Sequence, residues 1–187
     1  MTDNPRSPGR SSPKSPAVFL DRDGTLMRDV DYCGDPNEVQ VFDGVRQALA
    51  QLKRGGYKLI VITNQSGIGR GYFSEEQYRA VENEVARQMD HGLIDATYYC
   101  PHLPEDNCKC RKPSPEMILQ ATRDHDVDLS RSFFVGDKPS DIECGRNAGV
   151  KAILVQTGYG NETDPDLPDF VAEDLSEACD FILGRHE

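Results

Sequence analysis

Short apolar runs alternating with longer amphipathic segments constrain this chain more than any other feature. AVFL (17–20), KLIVIT (58–63), ATYY (96–99), SFFVG (132–136) and KAILV (151–155) are each bounded by turn or polar residues, and DFVA (169–172) is a candidate sixth. Such short, mainly apolar runs read as strands buried on both faces. Between them, apolar residues recur at helical spacing. Val45, Ala48, Leu49 and Leu52 form one stripe within 43–54, ended by Gly55-Gly56. Tyr78, Val81, Val85 and Met89 form a second within 74–91, opened by Ser74 and Gln77 as a capping box. Ser114 before Pro115, the Ser140/Glu143 pair and the Asp174/Glu177 pair mark three further helix starts. Strand alternating with helix predicts an α/β fold, a mainly parallel sheet flanked by helices, in a single domain over 17–187. Ligands of such sheets sit at the carboxyl ends of the strands.

Residues 1–16, MTDNPRSPGRSSPKSP, carry Pro, Ser, Gly and charge with almost nothing to bury, which predicts a disordered tail. No apolar segment of a secretory signal follows its cations, and no run is long enough to span a bilayer. The chain therefore reads as cytoplasmic, without a membrane partner. With 21 basic and 32 acidic residues the formal net charge is −11, which repels a nucleic-acid polyanion. A small anionic ligand remains compatible wherever cations or a metal focus positive potential. In a reducing compartment, clustered cysteines point to metal before disulfide.

The strand ends deliver polar groups of distinct kinds. The first delivers Asp21 and Asp23, the second Thr63-Asn64-Gln65-Ser66, the third a cysteine-rich loop ending in Arg111-Lys112, and the fourth Asp137-Lys138 with Asp141 a turn later. Several carboxylates at one site repel unless a hard cation is present, and Mg²⁺ takes one or two carboxylates while keeping waters and phosphate oxygens. Asp21 and Asp137 are the candidate side-chain ligands. A carboxylate can also attack phosphorus, and the Thr63 hydroxyl and Lys112 ammonium suit the oxygens of a transferring phosphoryl group.

DRDGTL, ITNQSG, RKP and GDKPSD resemble, in order and content, the four motifs of the haloacid dehalogenase superfamily of phosphatases over about residues 17 to 160. The resemblance implies that family's Rossmann-like sheet, with Asp21 as nucleophile and Asp23 as general acid and then base. Thr63 and Lys112 would steady the phosphoryl group, and Mg²⁺ would be held by Asp21, Asp137 and the backbone carbonyl of Asp23. A second carboxylic acid beside the leaving oxygen suits expulsion of a sugar alkoxide, so Asp23 favours a phosphatase or phosphomutase.

Cys100, His102, Cys108 and Cys110 supply three thiolates and an imidazole, enough for a closed tetrahedral zinc site. A disulfide between Cys108 and Cys110 would be badly strained. With four protein ligands no position remains for water, so the zinc is structural, and it sets where Arg111 and Lys112 point. Cys33, Cys144 and Cys179 read as ordinary thiols. A short zinc loop without a large cap domain looks like a branch that includes heptose bisphosphate phosphatases and histidinol-phosphate phosphatases. The gap between His102 and Cys108 is more like the second, whereas NQSGIGRGYF (64–73), DVDY (29–32) and GDKPSD (136–141) resemble the first. The heptose reading has the longer support.

By that resemblance Asp29, Val30, Asp31, Tyr32, Asn64, Gln65, Ser66, Arg111 and Lys138 would contact a small phosphorylated sugar; the chain is expected to act as a monomer. A guanidinium at Arg111 suits a second, non-scissile phosphate. Arg70 reads as a solvated loop cation, and Asp141 as supporting the site or opening its helix. Two rivals are a phospho-aspartate receiver switch, which usually carries its acid on the third strand, and a zinc-knuckle nucleic-acid module, which the charge opposes.

Overall fold

The computed structural model describes residues 14–185, so residues 1–13 of the expected tail lie outside the described residues. Backbone pairing begins at Ser15, which bridges Val127, and the Lys58 amide donates to the Pro16 carbonyl at 2.9 Å.

The strands are β1 (Ala17–Leu20), β2 (Lys58–Asn64), β3 (Ala96–Cys100), β4 (Phe133–Gly136), β5 (Lys151–Val155) and β6 (Phe170–Ala172). All pair in parallel, in the order β3-β2-β1-β4-β5-β6. The expected runs thus became strands, including the sixth. The helices are α1 (Val45–Arg54), α2 (Ser66–Gly69), α3 (Glu75–Met89), α4 (Glu116–His125), α5 (Pro139–Ala148) and α6 (Leu175–Ile182).

Alternation along β1 builds two cores. Val18 and Leu20 face the side covered by Val45, Leu49 and Leu52 of α1, Val81 and Val85 of α3, and Leu175 and Ile182 of α6. Ala17 and Phe19 face the other side, with Met117 and Ile118 of α4 and Cys144 and Ala148 of α5. Successive strand residues point to opposite faces, so both must be apolar when helices cover both. Full burial of one such Leu or Phe stabilises by about 1.5–3 kcal/mol.

Helix starts follow local chemistry. Ser74 accepts from the Gln77 amide at 3.2 Å, and the Gln77 side chain accepts from the Ser74 amide at 2.9 Å, as expected. Asp174 accepts from the amides of Ser176 and Glu177. The other two starts differ from expectation. Pro115 occupies the cap of α4, while the Ser114 hydroxyl binds the Lys109 carbonyl. Pro139 pulls the start of α5 forward, so Lys138 caps it and the Asp141 carboxylate, not Glu143, accepts from the Lys138 amide at 3.0 Å. No large cap interrupts the sheet: the β1–β2 connection holds α1 and a single 3₁₀ turn, and the β2–β3 connection holds α2 and α3. Among the described residues, no helix is long and apolar enough to cross a membrane.

Candidate active site

The strand order reverses between β1 and β4, because β2 and β3 extend one way from β1 and β4 to β6 the other. A crevice opens at such a reversal. Asp21 follows β1, its amide donating to the Val135 carbonyl at 2.9 Å, and Asp137 follows β4. Carboxylate oxygens of Asp21, Asp137 and Asp141 lie within 4.8 Å of one another, and all three residues are buried. Glycines make this possible. A Cβ on Gly24 (φ +90°) or Gly158 (φ +55°) would stand 2.2 or 2.3 Å from Asp137 Oδ2. That oxygen accepts from the Tyr159 amide at 2.9 Å, while buried Asp137 Oδ1 has no hydrogen-bond partner among the described residues.

Burial, then the charges of Asp21 and Asp141, push the Asp137 carboxyl up to about 8. Burial likewise raises Asp21, against the opposing pull of Lys112. An orphaned buried oxygen within a three-carboxylate cluster fits a hard divalent cation.

Lys112 reaches into this cluster from the cysteine loop. Its Nζ lies 2.7 Å from Asp21 Oδ1 and 2.7 Å from Asp141 Oδ1, and donates to the Ile62 carbonyl at 2.8 Å. Burial disfavours its charge, but the paired acids overcome that and hold it protonated. Asn64 grips the Lys112 backbone from both sides, accepting from its amide at 3.0 Å and donating to its carbonyl at 3.3 Å. Gln65 has one NH₂ and uses both hydrogens, toward Asp23 Oδ2 at 2.7 Å and Thr63 Oγ1 at 2.9 Å. Asn64 and Gln65, expected as substrate contacts, border the outer cavity and also use their amides to order neighbouring site residues.

Two cavities meet here. A small inner one, about 40 Å³, is lined by Asp21, Thr63, Lys112 and Asp141. An outer one, about 320 Å³, is lined by Asp29, Asp31, Tyr32, Ser66 and Arg111. Asp23, Asn64, Lys138 and Ser140 line both. Of the expected substrate contacts, all but one border these cavities. Val30 does not line the outer cavity: it is 37% exposed, and its neighbours Asp29 and Asp31 do line it.

Lys138 Nζ pairs with Asp29 at 2.8 Å and stands 4.9 Å from the Tyr159 ring centroid. Arg70 is exposed, as expected of a loop cation; its guanidinium lies 5.8 Å from the centroid of Tyr32, and the Tyr72 ring meets Tyr32 edge-on. Tyr159, Ser140 and Cys33 also line the outer cavity and were not anticipated. Tyr159 follows β5, so the same strand-end logic extended one strand further finds it; Cys33 carries no such signal.

The cysteine loop closes on itself. Cys100 and Cys110 sulfurs are 3.2 Å apart, each lies 3.5 Å from Cys108, and His102 Nδ1 lies 3.6 Å from Cys100 Sγ and 3.2 Å from Cys110 Sγ. A tetrahedral zinc with bonds near 2.3 Å to sulfur and about 2.0 Å to nitrogen needs ligand edges of roughly 3.5–3.8 Å. The donor set fits that ion; three of the five edges fall in this range, and the two at 3.2 Å, both to Cys110, would open by a few tenths of an ångström around it. Cys100 ends β3 beside Asn64, and Cys110 precedes Arg111, so the cluster ties the sheet to the two cations.

Residues 109–178 match the family model of HAD-hydrolase-like proteins. The D-glycero-beta-D-manno-heptose-1,7-bisphosphate 7-phosphatase of Pasteurella multocida is 42% identical over 178 residues, spanning 90% of this chain and 97% of that protein. The D-glycero-D-manno-heptose-1,7-bisphosphate 7-phosphatase of Thermosynechococcus vestitus is 40% identical over 186 residues, 89% of this chain and 95% of that protein. Among solved structures, the D,D-heptose 1,7-bisphosphate phosphatase from B. bronchiseptica, complexed with magnesium and phosphate, matches with a TM-score of 0.85 at 36% identity, covering 91% of this chain and 99% of that one.

Proposed function

We propose a function on this premise: the chain belongs to the D-glycero-D-manno-heptose-1,7-bisphosphate 7-phosphatase family of haloacid dehalogenase-like hydrolases. It removes the 7-phosphate of a heptose 1,7-bisphosphate through a phosphoryl-aspartate on Asp21. The observation that carries this reading is the junction of the two cavities. The inner one has room for a phosphoryl group beside Asp21, Thr63 and Lys112, and the outer one offers Arg111 and Lys138 to the rest of a sugar bisphosphate.

In the first half-reaction an Asp21 carboxylate oxygen bonds to phosphorus, the bond from phosphorus to the sugar oxygen breaks, and Asp23 gives that oxygen its proton. Thr63 and Lys112 hold the phosphoryl oxygens as charge redistributes. In the second, Asp23 takes a proton from water, the water oxygen bonds to phosphorus, and the bond to Asp21 breaks. Asp21 is restored and inorganic phosphate leaves. Asp21, Asp137 and the Asp23 carbonyl would hold Mg²⁺, which when bound neutralises the carboxylates and polarises phosphoryl oxygens. Cys100, His102, Cys108 and Cys110 would hold a structural Zn²⁺.

The chain acts as a monomeric single domain over 17–187 in the cytoplasm, with neither nucleic acid nor membrane as partner. Its net charge of −11 opposes a nucleic-acid partner, and a Cys₃His donor cluster suits a reducing compartment. The test is kcat/KM with magnesium for both heptose 1,7-bisphosphate anomers, the heptose 7-monophosphate and histidinol phosphate. A bisphosphate is preferred; equal or better turnover of histidinol phosphate refutes the assignment.

A further inference from the structure

Arg22 stands between the two motif aspartates and heads the fully buried side chains by size, at 1% exposure. A guanidinium at that depth needs counter-charge and filled donors. It has both. Nε lies 3.2 and 3.1 Å from the two Asp23 oxygens, and Nη2 lies 2.9 Å from Oδ1. Nη1 meets Glu82 Oε1 at 2.9 Å, and Nη2 also donates to Gln65 Oε1 at 3.2 Å. Gln65 closes the ring on Asp23 Oδ2, and the Tyr78 ring centroid lies 5.5 Å from the guanidinium. Glu82 and Tyr78 both come from α3, one turn apart.

Asp23 is what this ring holds. Its side chain keeps 16% exposure and borders both cavities, at the place a leaving oxygen must pass. A carboxylate otherwise turns about two side-chain torsions. Hydrogen bonds to both oxygens from a planar guanidinium fix its plane, and the guanidinium is itself fixed by Glu82. An exposed pair would contribute little, but this one is shut away from water on the arginine side.

We propose that Arg22 and Glu82 are positioning residues for proton transfer: Glu82 holds Arg22, and Arg22 with Gln65 holds the Asp23 carboxylate at the leaving oxygen. The inference rests on the phosphatase reading above. Neither residue touches the reacting atoms, so their role separates from a merely structural one by dependence on the leaving group. A sugar alkoxide needs a proton to depart, whereas a nitrophenolate leaves without one.

The experiment compares wild type, Arg22→Lys and Glu82→Gln by kcat/KM for the heptose bisphosphate and for p-nitrophenyl phosphate, with melting curves for all three. In the variants kcat/KM for the sugar ester falls about 10- to 100-fold and for the aryl ester less than about threefold. Should Arg22→Lys fail to fold, Glu82→Gln decides alone, its side chain being 21% exposed. An active wild type whose folded variants lose both substrates equally, or lose neither, overturns the positioning role alone. A wild type inert to both esters overturns the phosphatase reading and this role with it.

Discussion

Replacing Asp137 by asparagine should stabilise the magnesium-free protein near neutral pH while abolishing its response to magnesium. The carboxyl is wholly buried and pushed up to about 8 from an ordinary 3.8, by burial first and then by Asp21 and Asp141. In the unfolded chain it ionises near 4, so between about pH 4 and 8 the folded state holds a proton that the unfolded state has released. Stability is therefore full below the unfolded value and falls as pH rises toward the folded one. A tenfold difference in proton affinity is worth about 1.4 kcal/mol, which gives a loss on the order of 4 kcal/mol between pH 5 and 8. Asp21 shifts in the same direction and steepens the loss. Asparagine is nearly isosteric, and its carbonyl can still accept from the Tyr159 amide. The assay is urea unfolding at pH 5 and pH 8, in magnesium-free buffer that leaves zinc in place, then with excess magnesium. Wild type loses stability with pH and recovers it with the ion; the variant loses clearly less and recovers nothing. A wild type equally stable at both pH values without magnesium refutes the reasoning, as does a variant that gains as much from magnesium.

Two more outcomes follow from the same contacts. Asp21→Asn abolishes turnover yet folds, because Asp141 still faces Lys112 at 2.7 Å and the new amide oxygen still accepts from Nζ; measurable phosphate release by this variant, with a cooperative melt, rules out Asp21 as nucleophile. Stripping zinc lowers Tm by about 10 °C if it costs only some 3–4 kcal/mol of the larger energy typical of structural zinc, and it raises KM by displacing Arg111. An unchanged melt and unchanged KM after verified removal would show that the cysteine cluster positions nothing.

Much of the fold was legible because it rests on local pattern. Runs such as KLIVIT cannot be anything but buried strands when helical stripes flank them, and strand alternation then decides which residue faces which layer. The site's inner half was legible for a related reason, since a residue that follows a parallel strand arrives at the ligand edge regardless of tertiary detail. What stayed hidden depends on contacts across the chain. Arg22 is placed in the core by Glu82, sixty positions away. The one local trace is that Glu82 falls on the turn after Tyr78, a charge set beside the buried stripe of α3. The helix start at Pro139 was missed because Ser140 is the better capping side chain in isolation, while the proline ring and the Asp141 carboxylate together favour a start two residues earlier. The short α2 has too few residues to show a period at all.

Charge pairing explains how so acidic a chain receives an anion. Lys112 is matched by Asp21 and Asp141, Lys138 by Asp29, and Arg22 by Asp23 and Glu82, each within 2.9 Å. At such separations a surface-like dielectric makes a unit pair worth about 4 kcal/mol or more, so an incoming phosphate meets these cations already largely neutralised. Arg111 differs, since among the described residues its guanidinium meets a carbonyl, that of His102 at 3.3 Å, and no carboxylate. The inner cavity, bordered by Asp21, Asp23 and Asp141 with Asp137 clustered behind them, suits phosphate only alongside a divalent cation, whereas the outer cavity has in Arg111 a cation without a paired acid. Arg111 follows Cys110 directly, so the cysteine loop sets the position of that cation. On the proposed function, Arg111→Ala should therefore narrow the preference for the bisphosphate over the monophosphate in kcat/KM; an unchanged ratio would show that the unpaired cation does not read the second phosphate.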